Sequence, residues 1–134
     1  MSYEITFTKT ISEQFVRDTM VTMVESGNGC VHYWADVIDI DRAPNLDVTR
    51  IVLVDAEQLN EASDKYDMPP STHTIDGDRI VAAMSAILDG KANLVDYIVK
   101  YIRDAVAEDD AGYIDAEAAD AIAQYIVHES IVYG

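Results

Sequence analysis

Residues 3–9, "YEITFTK", alternate apolar and polar positions and predict a strand. The period turns helical after "TISE". Val16, Met20, Met23 and Val24 recur as one apolar stripe with Phe15 beside it. Thr10 is the expected N-cap, with Glu13 three residues on in capping-box position. The methionines read as core filling, because an unbranched thioether adapts to irregular gaps. "SGNG" then stops the helix, since glycine and asparagine take the left-handed backbone cheaply. Residues 30–40 predict a second strand. Val31, Tyr33, Ala35 and Val37 alternate to one face; Cys30, His32, Trp34 and Ile38 alternate to the other. Large groups on both faces predict a central or covered strand.

"DRAPNLD" reads as a loop and "TRIVLV", 49–54, as a β-branched strand. "DAEQLNEASDKYDMPP" allows a short helix capped by Asp55 or an extended hairpin arm, closed by Pro69 and Pro70. "THTI" predicts a further short strand. Three helical stripes follow. Ile80, Ala83, Met84, Ile87 and Leu88 form the first, capped by Asp76 or Asp78 and ended by Gly90. Leu94, Ile98, Tyr101, Ile102 and Ala105 form the second, with Asn93 as its cap. Ala118, Ile122, Tyr125 and Ile126 form the third, starting at Asp115. The chain ends in β-prone "SIVYG", which could pair with "YEITFTK" of the same chain or of a second copy. Strands first and helices later predict an α+β domain over 1–134, a small antiparallel sheet with three to four packed helices.

Charge changes this otherwise ordinary picture. There are 25 acidic residues against 9 basic ones, a net charge of −16. Such a surface repels nucleic acid and anionic membranes and attracts cations and basic partners. A solvated acidic surface of a high-salt or Asp-rich proteome, an interface for a basic protein that imitates a nucleic-acid backbone, and metal binding are the competing explanations. The single cysteine excludes an internal disulfide. The N-terminal residues lack a basic start followed by an apolar run, and no apolar stretch approaches the roughly 18 residues of a membrane helix. The expectation is a cytoplasmic protein with no membrane contact.

Cys30, His32 and Trp34 look most like chemistry. A nucleophilic cysteine needs a lowered pKa and a positioned base. His32 sits two residues away, but no third orienting group is visible, and free cysteine is most often buried packing. The segment is read as turn and strand. Cys30, His32, His73 and His128 lack the close spacing of a zinc half-site. The acidic loops 39–44 and 108–113 lack the calcium-loop pattern. Phosphate-loop, zinc-protease and Gly-x-Ser-x-Gly motifs are absent. No enzyme, catalytic residue, metal or cofactor is expected.

The densest feature is 104–120, "DAVAEDDAGYIDAEAAD". It carries Asp104, Glu108, Asp109, Asp110, Asp115, Glu117 and Asp120 and no base. Acids are usual in inter-helix loops and first turns, where the helix dipole favours them. They could equally form a docking edge for a basic groove.

Two segments carry a resemblance. Glu25, Gly27, Gly29, Tyr33 and Trp34 lie in "VTMVESGNGCVHYWADV". Asp115, Ala116, Ala119, Asp120, Gln124, Tyr125, Ile131, Val132, Tyr133 and Gly134 lie in "IDAEAADAIAQYIVHESIVYG". Together they resemble a family of small bacteriophage and prophage proteins. Those proteins have a glycine-Tyr-Trp strand near the N-terminus and an Asp-Ala-rich helix ending in Ile-Val-Tyr-Gly. "HTIDGDRIVAAMSAILDG" is similar to that family's strand-then-helix segment. "SGNGC" is longer than its usual adjacent glycines, and "HES" replaces its usual Phe-Gly-Glu. The resemblance implies a phage origin and one small domain, and implies no activity.

Two functional expectations follow. The first is a binding protein, an inhibitor of a host defence protein whose basic surface meets the acids, with no direct nucleic-acid binding and a homodimer left open. The alternative is a small-molecule or nucleotide-signal binder with Trp34, Tyr97, Tyr101 and Tyr125 lining a pocket. The charge opposes that alternative, because an anionic ligand needs local cations. Only Arg17, Arg42, Arg50, Arg79, Arg103 and four lysines are available.

Overall fold

The structure, a computed structural model, describes residues 3, 8–25, 31–55 and 72–129. Among the described residues four α-helices pack on a three-stranded antiparallel sheet, an α+β fold. The glycine turn at 26–30, the ambiguous segment at 56–71 and the "SIVYG" ending lie outside the described residues, as does the centre of the expected 3–9 strand.

Helix α1 runs Glu13–Glu25 and buries Phe15, Val16, Thr19, Met20 and Met23. Its cap is Ser12 rather than Thr10: Phe15 N–H donates to Ser12 Oγ at 3.2 Å. The helix therefore starts two residues later than the capping-box spacing suggested. Thr19, buried mid-helix, donates its hydroxyl to Phe15 O at 2.9 Å, which satisfies it locally.

The expected strand at 30–40 is corrected in two ways. Val31–Tyr33 forms a 3-10 turn, and β1 occupies only Ala35–Arg42. A 3-10 turn places residues three apart on one side. Val31 and Trp34 thus both enter the core, while His32 and Tyr33 face solvent. The period of two that put His32 beside Trp34 does not apply. Among the described residues β1 lies at the edge of the sheet rather than at its centre: the order is β1-β2-β3, with β2 at Val48–Asp55 and β3 at His73–Ile75. Its register skips Ile38 between Val37 and Asp39, and shifts again between Asp41 and Arg42. Bulges and charges both oppose addition of another strand at that edge. The exposed face is tied by Arg50, which donates to Asp41 at 2.6 Å and Asp39 at 3.1 Å. The Arg50 bond holds the Asp41 carboxyl below its ordinary range.

Helix α2, Gly77–Leu88, is capped by Asp76, which accepts from Arg79 N–H at 3.0 Å. Gly90 follows at φ +80°, a left-handed conformation that suits glycine. Helix α3, Asp96–Glu108, has Val95 at its N-cap with no side-chain bond, so Asn93 does not cap it. Its stripe of Ile98, Ile102 and Ala105 is buried; Tyr101 is not.

Helix α4, Ala116–His128, is the hub. It packs against α1, α2, α3 and β3. Residues Ala118, Ala119, Ala121, Ile122, Ala123 and Gln124 are all buried, so burial surrounds its middle rather than following one stripe. Alanine is what allows four neighbours to approach one helix closely. A continuous apolar core joins these helices to Val48, Ile51, Leu53 and Ile75 of the sheet.

Candidate functional site

The turn from α3 into α4 gathers the acidic set and sorts it. Asp109 closes α3 in the left-handed conformation, and its Oδ1 accepts from Ser12 N–H at 2.8 Å and Ser12 Oγ at 3.2 Å. That bond clips the start of α1 to the end of α3. Asp110 caps a 3-10 turn, Ala111–Tyr113, by accepting from Gly112 N–H at 2.8 Å. Asp115 caps α4, accepting from Ala118 N–H at 2.7 Å. Glu117 accepts from the Tyr97 hydroxyl at 2.6 Å. Asp104 holds the Lys100 ammonium at 2.7 Å. Glu108, Asp109, Asp110, Asp115 and Glu117 are exposed.

Asp120 is the exception. It is half-buried and points inward, where Trp34 Nε1–H donates to Oδ1 and Gln124 Nε2–H to Oδ2, each at 2.7 Å. Burial pushes its carboxyl up, and the two donors pull against that. Asp120 therefore belongs to the interior and not to a docking edge. Sequence spacing could not separate it from Glu117, since the two are three residues apart on the same helix.

Asp120 begins a polar seam along α4. Asp120, Gln124 and His128 recur every four residues and so share a face. His128 Nε2 lies 3.0 Å from Asp55 Oδ2, and the rings of His128 and Trp34 sit with centroids 5.5 Å apart, tilted by 52°. Asp55, which the sequence offers as a helix cap or as the start of a hairpin arm, is the last residue of β2 and only 1% exposed. Nearby on β3, His73 has its pKa pushed down, first by burial and then by His128, with Asp55 opposing. The sequence reading missed this seam. Its only signal was an aspartate ending an apolar strand, and its partner lies far along the chain on α4.

Of the Cys-His-Trp constellation, His32 and Trp34 do not come together. Cys30 lies outside the described residues. His32 is exposed, with Nε2 3.2 Å from Val24 O. Trp34 is 3% exposed and bound to Asp120. The four aromatics expected around one pocket are likewise dispersed. Tyr97 and Tyr101 form an edge-on pair at 5.8 Å on α3. Tyr125 lines an open groove of about 320 Å³ between α2 and α4, with Arg79, Ala82, Ala83, Ala86, Ile126 and Glu129. Neither Trp34 nor the α3 tyrosines reach that groove.

The cations are largely committed. Arg17 pairs with Glu13, Arg42 with Glu25, Arg50 with Asp39 and Asp41, and Arg79 with Asp76. Among the described residues no group of three or more His, Cys, Asp or Glu side chains could hold a metal ion. No described helix is long and apolar enough to cross a membrane. Compared with protein-family models, curated proteins and solved structures, the chain matches none.

Proposed function

We propose that this protein acts by binding, presenting the α3–α4 corner to the basic surface of another protein. The observation that carries this reading is the set of exposed carboxylates on Glu108, Asp109, Asp110, Asp115 and Glu117, four of them already held by hydrogen bonds. Fixed charges lose little side-chain freedom on docking. Dense carboxylates also imitate the charge of duplex DNA, about one per 1.7 Å of axis. An inhibitor of a host nucleic-acid-binding defence protein, of phage origin, is the function this chemistry serves best.

The test is a pull-down from bacterial lysate at low and high salt, using the protein and a Glu108→Gln/Glu117→Gln variant. Neither residue caps a helix. Basic proteins should be retained at low salt, released at high salt or by duplex DNA, and retained less by the variant. Recovery of no basic protein at low salt defeats the reading.

The α2–α4 groove favours a second reading, a small-molecule binder, because its volume falls in the range of ligand sites. Thermal-shift screening with nucleotides, repeated with Tyr125→Ala, separates the two.

A further inference from the structure

The outer face of α3 is aromatic as well as acidic. Tyr97, Tyr101, Asp104 and Glu108 follow one another at helical spacing of four, three and four residues, so they form a single stripe. Tyr97 and Tyr101 are 47% and 37% exposed, and Tyr113 of the following 3-10 turn is 46% exposed. These rings are oriented: Tyr97 donates to Glu117 at 2.6 Å and meets Tyr101 edge-on. The core-facing stripe of this helix is Ile98, Ile102 and Ala105, so the tyrosines are not needed to fill it.

One cation already occupies this environment. The Lys100 ammonium bonds Asp104, which holds it above its ordinary pKa, and the phenols of Tyr101 and Tyr113 are close enough to add to that effect. A face that pairs ring surfaces with carboxylates matches one side chain best. The guanidinium of arginine is planar, stacks on aromatic rings and forks to carboxylates, whereas an ammonium is a compact, strongly hydrated point charge.

We infer that the Tyr97–Tyr101–Tyr113 face docks an arginine-rich segment of a partner protein, stacking guanidinium groups on the rings while Asp104, Glu108 and Glu117 neutralise them. This rests on the acidic-docking reading and adds to it the preference for arginine over lysine. Charge alone does not distinguish the two; ring stacking does.

The experiment compares labelled oligo-arginine and oligo-lysine peptides of equal length by fluorescence anisotropy at low salt. The protein should bind oligo-arginine about two- to five-fold tighter. A Tyr101→Leu/Tyr113→Leu variant should lose that preference while keeping its affinity for oligo-lysine. A Tyr101→Phe/Tyr113→Phe variant retains the rings and should retain the preference, which covers the case in which the leucine variant misfolds. Equal binding of both peptides to the wild-type protein overturns the arginine inference and leaves acidic docking standing. Binding of neither peptide overturns both.

Discussion

Trp34 and Asp120 are joined by a 2.7 Å hydrogen bond across 86 residues of sequence. The indole N–H comes from the buried residue just before β1 and meets a carboxylate on the central helix. Gln124 of the same helix serves the other carboxylate oxygen, so the Trp34 bond is the one that measures whether the helical layer is seated on the hairpin.

Replacing Asp120 with alanine strands that N–H among buried groups and should cost about 1–3 kcal/mol of stability. Asp120→Asn keeps an acceptor and should cost less. Urea unfolding followed by the fluorescence of Trp34, the only tryptophan, reads both. The pH dependence has a definite sign. Burial raises the folded pKa of Asp120 above the ordinary 3.8. Its contribution is therefore greatest below that value and is lost as pH rises through the folded pKa. Relative to wild type, Asp120→Asn should gain stability over that rise. Equal losses in the alanine and asparagine variants would remove the bond from the account of stability.

His73 predicts the opposite slope. Its folded pKa lies below the ordinary 6.5, because burial and His128 disfavour the charged ring more than Asp55 favours it. Stability is then full above the ordinary value and falls as pH drops from there through the folded pKa. Denaturation midpoints between about pH 7 and about pH 5 should decline, and His73→Gln should decline less. A wild-type profile flat across that window would contradict the burial of this ring.

The acidic corner should divide into two energetic classes. Asp115→Ala removes the α4 cap and should cost about 1 kcal/mol. Glu108→Gln removes an exposed charge and should stay within about 0.5 kcal/mol of wild type. Thermal melts distinguish them. A binding defect in Glu108→Gln with an unchanged melting temperature would then belong to the interface and not to folding.

Helix α4 should tolerate no enlargement. Ala123 and Ala119 are fully buried where neighbouring helices converge. Ala123→Leu should cost about 1–3 kcal/mol through overpacking, read as a lower denaturation midpoint at unchanged slope.

The helices were largely legible because each stripe is a local pattern. Ile80, Ala83, Met84 and Ile87 are buried as their spacing predicts, and Asp76 and Asp115 cap where expected. The place of β1 at the edge of the described sheet was not legible. A 3-10 turn and the skip at Ile38 both break the alternation that strand reading depends on. The Asp55–His128 pair was hidden for a different reason. Each residue is unremarkable locally, and only the tertiary fold, which brings the end of β2 to the last turn of α4, makes them partners. The sorting of Asp120 from the surface acids was hidden in the same way, since its donor Trp34 lies in another layer.

The position of α4 in the chain has a consequence for synthesis. Its neighbours α1, α2 and α3 leave the ribosome before it, and the parts of their apolar faces that pack on α4 have no cover until residues 116–128 emerge. A chain arrested short of that helix would leave that part of the shared apolar core open. By contacting three helices and β3 at once, α4 would close what the segments synthesised before it leave ajar.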